Sequence, residues 1–262
     1  MLAALLAAAA IYTRGWRVLS RRMPMRFGPG RLAAFLGGLA VIVVALASPL
    51  DELAERLLSA HMVQHQLLMM VAPPLLWLGA PIAPTLRGLP RRIRRLAAAA
   101  LASRPLRAAA RVIAHPAFGW ISFALAFWIW HTAPLYQLAL RSHAWHHVEH
   151  ACFVATAMLF WRPVIQAWPD RAAWPRWTMI PYVLLADVQN TILAAILTFS
   201  DRLVYPAYAS VTAGSLSALD DQALAGVIMW VPGSLAFLVA AVWLAMGLLS
   251  GSRTVRVMAP AP

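Results

Sequence analysis

Apolar runs long enough to cross a bilayer recur down this chain, and the gaps between them carry arginine but no lysine. A transmembrane helix needs about 20 predominantly apolar residues. The runs fall at about 1–13, 32–49, 57–81, 118–134, 145–161, 178–199 and 223–249. Such a pattern, with 62% apolar and 12% charged residues over 262 positions, exceeds what a soluble domain of this length uses. The expected fold is therefore all-α: a polytopic helical bundle, with residues 1–262 forming a single transmembrane domain. Seven spans are expected, or six if the N-terminal segment does not cross. Its apolar part, residues 2–12, is short, and its arginines follow it, whereas a signal peptide carries positive charge ahead of its apolar run.

Arginine placement gives the orientation. Successive connections hold six (Arg14 to Arg31), one (Arg56), eight (Arg87 to Arg111), one (Arg141), three (Arg162, Arg171, Arg176) and one (Arg202), and the tail holds two. The arginine-poor side carries six of the nine acidic residues. By the positive-inside rule the N-terminus lies outside and the C-terminus in the cytoplasm of a bacterial inner membrane. The net charge of +13 thus reflects topology; with no basic, aromatic-interleaved patch, nucleic acid is not an expected partner. The stretch 85–116 reads as an amphipathic surface segment. A single cysteine, Cys152, excludes a disulfide framework and a multi-cysteine metal cluster.

Seven of the eight histidines fall at the outer ends of three predicted spans: His61, His65, His131, His143, His146, His147 and His150. Ionisable groups at membrane depth are costly and mark functional sites by default. At about 100° per residue, His61, His65 and Met69 share an arc of about 80°, and His143, His146, His147 and His150 one of about 100°. Cys152 lies opposite the second arc. The two segments share the pattern His-x-Val-x-His, so the pairs could face each other. The expected metal ligands are His61, His65, His131, His146, His147, His150 and Met69, with Glu149 orienting an imidazole from behind. Imidazole suits copper, zinc and iron, and a thioether favours Cu(I), so copper is the first expectation, with zinc and haem as alternatives. In the sixth run Asp187, Asn190, Thr191, Ala194 and Thr198 form a polar stripe. It reads either as a functional relay built on Asp187 and Asn190 or as interhelical hydrogen bonding. Gly37 and Gly38 would permit close helix contact in a homodimer.

Several segments resemble the caa3-type cytochrome c oxidase assembly factor family (CtaG). They are Ser59-Ala-His-Met-Val-Gln-His65-Gln-Leu-Leu, Val71-Ala-Pro-Pro-Leu-Leu-Trp-Leu-Gly-Ala-Pro81, and His147-Val-Glu-His150 leading to Phe160-Trp-Arg-Pro163. Leu197-Thr-Phe-Ser-Asp-Arg-Leu-Val-Tyr-Pro206 and Asp221-Gln-Ala-Leu-Ala-Gly-Val-Ile-Met-Trp-Val-Pro-Gly233 complete the set. The resemblance covers roughly 32–249. It implies a seven-helix membrane protein that supports maturation of a haem–copper oxidase at its copper centre and is not an enzyme. It further implies an oxidase subunit, and with it periplasmic copper carriers, as partners besides membrane lipid. The single-span factors that share the CtaG name bind copper through cysteines, and this chain has no cysteine pair. Two other readings remain open at this stage: an intramembrane zinc hydrolase of the ceramidase-like kind, with Glu149 or Asp187 activating water, and a b-type haem protein.

Overall fold

In the computed structural model, which describes residues 1–170, 174–209 and 216–257, the regular elements are helical. In chain order they are α1 (Leu2–Arg22), α2 (Pro29–Ala47), α3 (Pro49–Arg56) and α4 (Leu58–Gln66). A single π-helical turn (Leu67–Val71) leads into α5 (Ala72–Leu78). Then come α6 (Ile82–Gly88), α7 (Arg91–Ala102), α8 (Arg104–Ile113), α9 (Pro116–Trp130), α10 (Ala133–Arg141), α11 (His143–Ile165), α12 (Met179–Phe199) and α13 (Ala218–Val257). Among the described residues five helices are long and apolar enough to cross a membrane: α1, α2, α11, α12 and α13. The number rises to seven if each of two bent pairs is one span. Leu58–Leu78 with α6 bends by 68°, and α8 with α9 by 62°. The chain is an all-helical, multi-pass membrane protein.

The observed elements differ from the sequence expectation in instructive ways. The first helix does not stop near residue 13 but runs to Arg22, so Arg14, Arg17, Arg21 and Arg22 are helical. Arginine propagates a helix nearly as well as leucine, and the helix stops only at Met23, the residue before Pro24. The amphipathic stretch is two helices, α7 and α8, parted at Ser103, with arginines exposed along both. Between spans the structure adds short helices that hydropathy does not reveal, α3 and α10 among them. One, α3, starts where Ser48 Oγ accepts from the Leu50 N–H with Pro49 in the first turn, a strong helix start. Arg171 lies outside the described residues.

Helix crossings are close where glycine allows it. A Cβ on Gly15 would collide with the Pro84 carbonyl, and one on Gly88 with the Ile11 carbonyl, so α1 and α6 touch backbone to backbone. Tyr12 completes this contact by donating its hydroxyl to the Gly79 carbonyl at 2.6 Å. On the other side α12 packs on α13, α11 on α9, and α13 on α4.

That last contact begins a helix that cannot begin itself. Leu57 stands at the N-cap of α4 and has no side-chain acceptor. Asp221, buried on α13, supplies one: its carboxylate accepts from the Leu58 N–H at 2.7 Å, from the Ser59 N–H and from the Ser59 hydroxyl. A carboxylate at a helix N-terminus satisfies free N–H groups and suits the helix dipole.

The far end of the same span has the opposite problem. Pro73 and Pro74 lack the N–H groups that would reach the Met69 carbonyl in an α or a π turn. Trp161 of α11 takes their place, donating its indole N–H to that oxygen at 2.9 Å.

Candidate metal centre

One end of the bundle gathers the start of α4, the end of α9, the start of α11 and the loop that follows α12. His61 and His65 come from α4, His131 caps the C-terminus of α9, and His146, Glu149 and His150 come from α11. All six side chains are buried. One ligand atom each from His61, His146, Glu149 and His150 lies within 4.8 Å of the others. His65 adjoins this group: its Nε2 is 2.8 Å from His61 Nε2, and its ring centroid is 5.6 Å from those of both His131 and His150. Glu149 reaches both α4 histidines, with Oε2 3.8 Å from His61 Nε2 and Oε1 3.7 Å from His65 Nε2.

The orphaned atoms test whether a metal fits. Both carboxylate oxygens of Glu149, the Nε2 atoms of His131, His146 and His150, and His65 Nδ1 are buried without a hydrogen-bond partner in the protein. Buried polar groups are overwhelmingly partnered, so such a cluster asks for an explanation. Neutral imidazoles and a carboxylate are the donors that copper, zinc and iron take. The residues present fit a metal ion.

Two hydrogen bonds select the nitrogen that faces the group. His131 Nδ1 lies 2.7 Å from the Phe127 carbonyl. A carbonyl only accepts, so the proton sits on Nδ1 and Nε2 presents its lone pair. Tyr208 donates its hydroxyl to the Ala54 carbonyl at 3.0 Å, so its oxygen accepts from His61 Nδ1 at 3.3 Å. His61 Nε2 then also points a lone pair inward. These partners do for imidazole what outer-shell groups do at metal sites generally.

A buried wall of tyrosines closes the group. Tyr136 from α10 stacks on Tyr205, at 4.0 Å between centroids, and its ring lies 5.2 Å from that of His61. Tyr205 donates its hydroxyl to the His131 carbonyl at 2.9 Å. Burial pushes the Tyr136, Tyr205 and Tyr208 hydroxyls above their ordinary range, so all three stay neutral; Tyr205 and Tyr208 use their protons in hydrogen bonds, while the Tyr136 hydroxyl is buried without a protein partner. Sequence reasoning missed these tyrosines. Tyr205 was in view only as part of a motif, and nothing in spacing ties Tyr208 to a histidine 147 positions away.

The other sequence candidates have the following settings. His147 and His143 are exposed, the latter 3.9 Å from Glu55. The arc of four histidines on α11 is wider than the strip this helix buries, so only His146 and His150 turn inward. Glu149, expected behind an imidazole, stands among the candidate ligand atoms instead. Met69 is buried in the core within the π turn. Asp187 and Asn190 bind α13: Ser234 donates to the Asp187 carboxylate at 2.6 Å, and the Asn190 amide donates to the Met229 carbonyl at 3.0 Å. Gly233 leaves the room that Asn190 occupies. Asp187 and Asn190 of the polar stripe are thus engaged in interhelical hydrogen bonding, whereas Thr198 Oγ1 is buried without a protein partner. Cys152 is half-buried against the core, and His115 is exposed, accepting from the Ala117 N–H at the start of α9.

Fold and site together define a multi-pass helical membrane protein with a buried histidine–carboxylate group at one end of its bundle. Residues 10–250 match the cytochrome c oxidase caa3 assembly factor family, and the chain belongs to that family. Among curated relatives, uncharacterised proteins of Mycobacterium bovis and Mycobacterium tuberculosis are each 28% identical over 234 residues. A further one from Mycobacterium leprae is 26% identical over 237 residues. These alignments cover 84% of this chain but 34% of each relative, so the chain spans about a third of their length. No solved structure matches.

Proposed function

We propose that this protein binds copper in the group formed by His61, His65, His131, His146, Glu149 and His150, and that it supports maturation of the copper centre of a haem–copper oxidase. The observation that carries the reading is the convergence of five buried imidazoles and a buried carboxylate, with both Glu149 oxygens and the Nε2 atoms of His131, His146 and His150 lacking protein partners. Family membership supplies the oxidase. The partner would be an oxidase subunit, with periplasmic copper carriers as the source of metal. Arginine asymmetry supports a bacterial inner-membrane location with the site end facing outward and the C-terminus in the cytoplasm. What the residues would do is hold the ion away from water and present neutral nitrogens to it. A site of exchangeable imidazoles can pass copper to histidines on a partner. Because imidazole must be neutral to bind, affinity would fall as pH drops through the range where histidine protonates.

A zinc-dependent intramembrane hydrolase is the second reading, favoured by Glu149 standing between imidazoles where it could activate a metal-bound water. Ring centroids 4.2–5.9 Å apart suit ions better than a porphyrin, so haem is the least favoured of the three.

Elemental analysis and an absorption spectrum of the purified protein separate these readings. Copper is expected, with no Soret band, and its loss in the His61→Ala/His65→Ala variant. Full copper retention by that variant would sink the assignment. Zinc together with turnover of a lipid amide would favour the hydrolase.

A further inference from the structure

We propose that the group holds two metal ions bridged by Glu149, one at His61, His146 and His150 and the other at His65 and His131. The inference rests on the metal-binding reading of this cluster and goes beyond it in stoichiometry and in the division of ligands.

The first ground is supply. Five imidazoles and a carboxylate are buried together, whereas a four-coordinate ion held by nitrogen and oxygen ligands uses four donors. The second is how the donors divide. His61, His146, Glu149 and His150 form one close group, and His65 and His131 fall outside it; their ring centroids are 5.6 Å apart, with His65 at the seam, its Nε2 2.8 Å from His61 Nε2. The carboxylate is divided in the same way. Its Oε2 approaches His61 and its Oε1 approaches His65, at nearly equal distances of 3.8 and 3.7 Å. Neither oxygen has a hydrogen-bond partner. A carboxylate turned so that each oxygen serves a different imidazole is disposed to bridge ions about 3.5–4 Å apart, the usual separation in two-metal sites.

His131 is the third ground. Its proton is committed to the Phe127 carbonyl, and its buried Nε2 has no partner. No atom of His131 belongs to the four-residue group, so one ion there leaves this lone pair unexplained. A second ion shared with His65 and Glu149 explains it.

The test is metal stoichiometry on the full chain, purified in nanodiscs, stripped of metal, loaded with copper and freed of excess by gel filtration. About two coppers per chain are expected, falling to about one in His131→Ala with an unchanged elution profile. X-ray absorption fine structure on the loaded wild type needs no variant and should show copper–copper scattering within about 4 Å. One copper per chain without that scattering overturns the second ion while leaving the function proposed above intact. Two coppers in both wild type and His131→Ala overturn the assignment of ligands. No copper at all overturns both readings.

Discussion

At the scale of single residues, the site depends on which nitrogen each ring turns inward, and for His61 that choice is made by a group far away in sequence. Tyr208 lies in the loop after α12, yet it holds His61 by Nδ1 while anchoring itself to the Ala54 carbonyl. Tyr208→Phe keeps the ring and its packing but removes the oxygen. Metal affinity is expected to fall about 10- to 100-fold, as when an outer-shell partner is lost, with helix content unchanged by circular dichroism. Equal affinity in competition with a chromophoric chelator would show that His61 needs no such partner. That His61 pairs with His65 and His146 with His150 was readable in the sequence, because four-residue spacing on a helix needs no tertiary information. His65 and His150 follow from that rule alone. Tyr208, Tyr136 and the division of Glu149 do not, since they are set by packing between segments that periodicity cannot relate.

At the scale of elements, α4 is a nine-residue helix carrying two of the six candidate ligands, and its start depends on another helix. Removing the Asp221 carboxylate would leave the Leu58 and Ser59 N–H groups buried and unpaired. Asp221→Ala should destabilise the protein by about 1–3 kcal/mol, the cost of unsatisfied buried donors, read as a lower midpoint in thermal unfolding in detergent. Asp221→Asn, which retains one acceptor oxygen, should lose less. If both variants melt with the wild type, the cap is not holding α4. Neighbouring elements show why span boundaries were only partly legible. Hydropathy found the cores of α2, α11 and α12, but α3 depends on its Ser48 cap and α10 on the burial of Tyr136 and Ala139 against the bundle. They are too short and too polar to register as spans.

At the scale of the whole molecule, the chain has two chemically distinct ends. Histidine, tyrosine and acidic side chains collect where α4 and α11 begin, and exposed arginines collect on α7 and α8 beyond the other end. The proposed orientation puts that second end in the cytoplasm. Because every basic residue is arginine and those of α7 and α8 are largely exposed, trypsin is expected to cut within 91–111 in inverted membrane vesicles and to spare that segment in right-side-out ones. Cleavage from the opposite side, mapped by mass spectrometry, would reverse the orientation. The arrangement of ends was legible from arginine counts, whereas the backbone contact of α1 with α6 was not. Gly15 and Gly88 are ordinary loop or helix glycines until the crossing brings them together.

The π turn between α4 and α5 has a consequence for how such a helix can change. An α-helix advances about 100° per residue, so the extra residue of a π turn shifts the phase of everything after it by about that angle. His61 and His65 therefore keep their aim without dictating where Pro73, Leu76 and Trp77 point, and the latter pack on other neighbours. The span behaves as two helices with independent angular settings joined by a fixed offset. Substitution on either side is free to optimise its own face, provided the offset itself is kept.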